Sequence, residues 1–93
     1  MEETMDNSVV DKDVILERTK QYGNNFPTMS KLWKTYFKMK YNIEVPIEDE
    51  DVPFLMQLHK ISRLMVSPDN LDSMQDMFNY SWIGFNYNEY SSI

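Results

Sequence analysis

The sequence predicts an all-α protein, a compact bundle of about four helices. Apolar residues recur at three- and four-residue steps in four separate stretches, the period of a helix with one buried side. Only two glycines and four prolines punctuate 93 residues, which suits a few helices joined by short turns better than many strands. Cysteine is absent, so neither a disulfide framework nor a thiolate metal site can substitute for packing. With 42% hydrophobic residues, a chain of this length has room for one core, since it buries only about 60–65% of its unfolded surface.

Residues 1–10 read as a flexible acidic N-terminus, 11–84 as the helical domain and 85–93 as an aromatic tail. The first helix is predicted over 11–22, with Val10, Val14, Ile15 and Leu16 on its buried side and Gly23 closing it in the left-handed region. The second is predicted over 27–41, capped by Asn25 and opened by Pro27. Its stripe Met29, Leu32, Trp33, Tyr36 and Phe37 is expected to be core, with Lys31, Lys34 and Lys38 solvated opposite. Residues 42–47 alternate apolar side chains, but six residues alone make no stable sheet, and a loop is expected.

The third helix is predicted over 50–66. Glu48, Asp49, Glu50 and Asp51 precede it, where negative charge suits the positively polarised helix start; a divalent cation held by Glu48 and Asp51 would need further oxygen ligands. Pro53 belongs in the first turn, and Phe54, Leu55, Leu58, Ile61, Leu64 and Met65 are expected to face the core. The single histidine, His59, is expected to be a partly exposed polar residue rather than a base, with no cysteine or serine placed beside it. Ser67 to Asn70 stop one helix and start the next, predicted over 68–83 and closed by Gly84. Met74, Met77, Phe78, Ser81 and Trp82 give it an apolar side.

Formal net charge is −6, and its distribution is uneven: residues 11–41 carry seven bases and three acids, residues 42–93 two bases and nine acids. A phosphate backbone would be repelled on average, so direct nucleic-acid binding is not expected. No apolar run approaches the roughly 18 residues of a membrane span, and the opening MEETMDNSVVDKD has neither the basic start nor the apolar stretch of a secretory signal. A soluble intracellular protein without membrane contact is therefore expected. The charge segregation can be neutralised within the folded chain or simply solvated, and it is also complementary to a second copy turned end to end, which predicts a two-fold homodimer. The aromatic tail either wraps its own bundle or inserts into a neighbour, in which case Phe85, Tyr87 and Tyr90 are the expected anchors, because aromatic side chains dominate binding hot spots.

Charged residues at helical spacing mark the candidate site. Lys60 and Arg63 lie three apart, and Asp72, Asp76 and Tyr80 four apart, so each set projects from one side of its helix. Arg63 is expected to pair with Asp76 or Asp72 across the third and fourth helices. A nucleotide-like anion would draw on Arg18, Lys20, Lys60 and Arg63, since guanidinium groups grip phosphate bidentately. The candidate ligand-binding set is thus Arg18, Lys20, Tyr22, Lys60, Arg63, Asp72, Asp76 and Tyr80, with no catalytic residue, metal or cofactor assigned.

Four motifs agree in order and spacing with a known pattern: Glu17 to Gly23 ending in Tyr-Gly, Leu32 to Phe37 with Leu-Trp, Asp51-Val52 followed by Leu55 to Arg63 with Lys-Ile-Ser-Arg, and Asp72 to Tyr80. Over about residues 13 to 84 the chain resembles a family of small phage and prophage proteins known only as a domain of unknown function. It departs from that pattern at His59, where the family often has a small apolar residue, and at Asn79, where it often has glycine. The resemblance implies a compact all-helical fold, a bacteriophage origin and action in the host cytoplasm, and it brings no activity with it.

The acidic helices also resemble those of the all-α nucleoside triphosphate pyrophosphohydrolases, but the mid-helix Glu-x-x-Glu pair of that metal box is not reproduced. The resulting expectation is a non-enzymatic binding protein that engages a host protein or sequesters a small anionic, nucleotide-like signal in host takeover or counter-defence. Two alternatives stay open. One is a metal-dependent nucleotide hydrolase using Asp72 and Asp76 with Glu17 or Asp51; the other is an acidic DNA mimic built on residues 42–76.

Overall fold

Asp11 opens helix α1 (Lys12–Tyr22) by accepting a hydrogen bond from the Val14 backbone N–H at 3.1 Å, which satisfies one of the free donors of the first turn. Gly23 closes it at φ 68°, donating its N–H to the Thr19 carbonyl at 2.7 Å; a side chain at that φ would be strained. The computed structural model describes residues 9–92, so most of the expected flexible N-terminus lies outside the described residues. The part that is described is docked: Val10 is buried, and the Val9 carbonyl accepts from Gln75 Nε2 at 2.9 Å.

Helix α2 (Phe26–Tyr41) starts one residue before Pro27. Its cap differs from expectation, because Asn24 rather than Asn25 supplies the side-chain oxygen, accepting from the Phe26 N–H at 3.2 Å. Asn42 ends the helix in the left-handed conformation at φ 55°, which asparagine tolerates better than most residues. The loop from 42 to 47 forms no strand. Asp49 then ties the chain back to α2 by accepting from Ser30 Oγ at 2.8 Å, and Ser30 is almost wholly buried.

Helix α3 (Asp51–Val66) and helix α4 (Leu71–Phe85) form the main packed pair, while α2 meets α3 over only a short stretch. Asp51 Oδ2 accepts the Glu48 N–H at 2.9 Å, so this carboxylate orders the turn before α3. Helix α4 begins three residues later than predicted, because Asn70 caps it by accepting from the Ser73 N–H at 3.0 Å. Nor does Gly84 end it. The helix runs on to Phe85, and a short helix α5 (Tyr87–Tyr90) follows.

The core differs from the predicted one in which stripe it uses. Val10, Ile15, Phe26, Val52, Trp82, Ile83 and Tyr90 are buried together, with Met29, Trp33, Met56, Tyr80 and Tyr87 packed against them. On α2, Leu32 and Tyr36 are exposed although their stripe reads as core, and Trp33 is half-buried. On α3, Leu58, Ile61 and Met65 face outward, while Phe54 and Leu55 are partly exposed and the Phe54 ring packs against Gly84 of α4. Val52, Pro53, Met56, Lys60 and Leu64 point inward instead. The physical reason is that α3 has apolar residues on two sides and α4 can cover only one.

Candidate active cleft between helices α1 and α4

On α1, Ile15, Arg18, Thr19 and Tyr22 recur at three- and four-residue steps and share one side. On α4, Asp76, Asn79, Tyr80 and Ile83 do the same, and the two sides face each other across a cleft of about 470 Å³. Phe26, Met29 and Met56 give it an apolar floor, and Tyr90 closes its far end. The volume lies within the roughly 300–1,000 Å³ of small-molecule sites. Most of its lining is apolar, with a few polar groups at the rim.

Asp76 organises that rim. Its Oδ1 accepts from Arg18 Nη1 at 3.3 Å and its Oδ2 pairs with Lys60 Nζ at 3.2 Å. The Lys60 and Asp76 side chains are only 14% and 16% exposed, whereas Arg18 is 56% exposed. Lys60 is therefore the buried counter-ion and Arg18 the outer one, with guanidinium N–H groups still turned to solvent. Burial pushes the Tyr80 phenol above its ordinary pKa; the Asp76 carboxylate adds to the rise and the Arg18 guanidinium opposes it. The phenol thus stays protonated at neutral pH.

Deeper in, Thr19 Oγ1 donates to the Ile15 carbonyl at 2.7 Å and lies 3.2 Å from the Tyr90 hydroxyl. Asn79 is buried, and its Oδ1 accepts from the Asp11 N–H at 2.9 Å and from Gln75 Nε2 at 3.1 Å. Its Nδ2 has no partner among the described residues.

Of the predicted site residues, Arg18, Lys60, Asp76 and Tyr80 come together, and the exposed Tyr22 lines the mouth. Lys20 lies on the exposed side of α1 and Arg63 in the exposed last turn of α3. Arg63 forms no ion pair among the described residues, because Lys60, one turn earlier, lies where α3 passes Asp76 and takes the place expected for it. Asp72 is exposed in the first turn of α4 and outside the cleft. Of the aromatic tail, Phe85 is 57% exposed, Tyr87 packs on Phe26 and Tyr90 is buried in the core. His59 is exposed. Thr19, Phe26, Met29, Met56 and Asn79 belong to the cleft without being singled out by the sequence. The helical spacing of Thr19 from Ile15 and of Asn79 from Asp76 carries that signal.

No group of three or more His, Cys, Asp or Glu side chains placed to hold a metal occurs among the described residues, and no helix among them is long and apolar enough to cross a membrane. No curated protein and no solved structure matches the chain. The family model for DUF6378, a domain of unknown function, matches residues 8–88. That span takes in all four long helices and every cleft residue named above except Tyr90, and the chain belongs to this family.

Proposed function

We propose that this is a phage-type binding protein that acts in the host cytoplasm as a two-fold homodimer and sequesters a small anionic ligand with an aromatic part, of nucleotide type, in the cleft between α1 and α4. One observation carries the reading: an apolar, aromatic-floored cleft has the half-exposed Arg18 guanidinium at its mouth. The floor accepts a planar ring by burial and edge contacts, while Arg18 offers charge-assisted donors to a phosphate or carboxylate. Binding without chemistry fits the state of Asp76. Its carboxylate oxygens are each already paired with a cation, Oδ1 with Arg18 and Oδ2 with Lys60. Held in this way it positions Arg18 without repelling an anion.

The test is calorimetric titration with nucleoside mono-, di- and triphosphates beside the matched unphosphorylated nucleosides, together with a native mass spectrum of the purified protein for co-purified ligands. At least one phosphorylated member should bind and raise the melting temperature. Arg18→Ala should weaken it by about 1.5–3 kcal/mol, the worth of a hydrogen bond to a charged group, and Arg63→Ala should leave it unchanged. A panel in which nothing binds, or binding indifferent to Arg18, would overturn the reading.

A further inference from the structure

The largest feature outside the cleft is an apolar surface that the chain itself leaves uncovered. On α2, Leu32, Tyr36 and Met39 are 62%, 53% and 82% exposed. On α3, Phe54, Leu58, Ile61 and Met65 are 39%, 60%, 36% and 80% exposed. Both rows step by four and three residues alternately, the 3.5-residue repeat with which one helix seats its side chains against another. Tyr36 of the first row and Phe54 and Leu58 of the second border two adjoining grooves. A groove of about 540 Å³ lined by Tyr36, Val45, Ile47 and Leu55 adjoins a second, of about 360 Å³, lined by Val45, Ile47, Leu55, Phe54 and Leu58.

We infer that this surface is where a second copy of the chain docks, with α2 and α3 of each copy packed across a two-fold axis into a four-helix interface. The inference rests on the dimer reading above and gives it a location. Two observations select a second copy as the occupant. The first is that the repeat suits helical partners with the same repeat, and this chain presents two such rows, on helices that meet near Ser30 and Asp49. The second is a pair of opposite charges bordering the surface. Lys40 stands over the Tyr36 and Tyr41 rings at the α2 end, and Asp51 lines the groove at the start of α3. A two-fold axis between them brings the cation of each copy towards the anion of the other. Lys38 does not take part, since Glu44 already holds it at 3.2 Å. Tyr90 is not available as an anchor, because it fills the core of its own copy, whereas Phe85 is exposed.

Sedimentation equilibrium on the full chain tests this with three variants at exposed positions, each checked for unchanged helicity by circular dichroism. Wild type should be a dimer at tens of micromolar. Met39→Glu and Leu58→Glu should each weaken the dimer at least tenfold, because each places charge in the apolar seam. Phe85→Glu, at a residue that lines neither groove, should leave it intact. A wild-type monomer at these concentrations would overturn the dimer and its location together. A wild-type dimer that survives Met39→Glu and Leu58→Glu would overturn the location alone, and neither outcome bears on ligand binding at Arg18, which calorimetry reads separately.

Discussion

A single carboxylate, Asp76, holds two cations of unequal exposure, and the inequality determines what its removal does. Asp76→Asn leaves the Lys60 ammonium largely buried without a counter-charge, which should cost about 1–3 kcal/mol in urea unfolding, the penalty of an unsatisfied buried group. Replacing both by apolar residues, Asp76→Leu with Lys60→Met, should cost less than Asp76→Asn alone, because no unpaired charge is left inside. Tyr80 next to it gives the protein an alkaline limit. Its folded pKa lies above the unfolded value of about 10, so the stability it contributes is fully present below pH 10 and is lost as pH rises through the folded pKa. Wild type should therefore lose stability above pH 10 more steeply than Tyr80→Phe, measured by urea midpoints across that range. Arg18, Lys60, Asp76 and Tyr80 were legible in the sequence because helical spacing puts charges on one side. The choice of Lys60 over Arg63 was not legible, since both share that side and only the crossing point of α3 and α4 decides between them.

At the scale of elements, the four helices could be read almost to the residue where a cap or a breaker marks the end, as at Asp11, Gly23 and Val66. The misreadings share a cause. Gly84 reads as a helix stop, yet it lies inside α4 because the Phe54 ring packs where its side chain would be: a Cβ there would sit 2.8 Å from two ring carbons. Leu58, Ile61 and Met65 read as core because an apolar stripe has the same period whether its partner is the same chain or another. Gly84→Ala tests the packing role. Alanine favours the helix by about 1 kcal/mol over glycine, while displacing Phe54 costs about 1–3 kcal/mol, so a small net loss is expected. In a Phe54→Ala background the same substitution should become stabilising, a sign change that a double-mutant cycle in urea would register.

For the molecule as a whole, the tail beyond Asn86 is part of the fold. Tyr90 lies 5.7 Å from the Phe26 ring centroid to centroid, and Tyr87 accepts from Asn24 Nδ2 at 3.2 Å. Tyr90→Ala should accordingly cost about 3–5 kcal/mol, as for other buried aromatics, and a chain stopped at Asn86 should melt well below wild type by circular dichroism even as a monomer. The same contacts set an order of assembly. Among the described residues, every side-chain hydrogen bond that reaches from residues 9–22 to another element ends on α4 or α5, at sequence separations of 58 to 71 residues. An 11-residue helix is marginal by itself in water, and during synthesis α1 lacks these hydrogen-bonding partners for roughly 3–14 s at about 5–20 residues per second. The wall that carries Arg18 is thus the last to be fastened and the first to come loose. Amide hydrogen exchange should find α1 opening more readily than α3 and α4, and a ligand that bridges the cleft should slow exchange most in α1, on the wall that the rest of the protein holds least firmly.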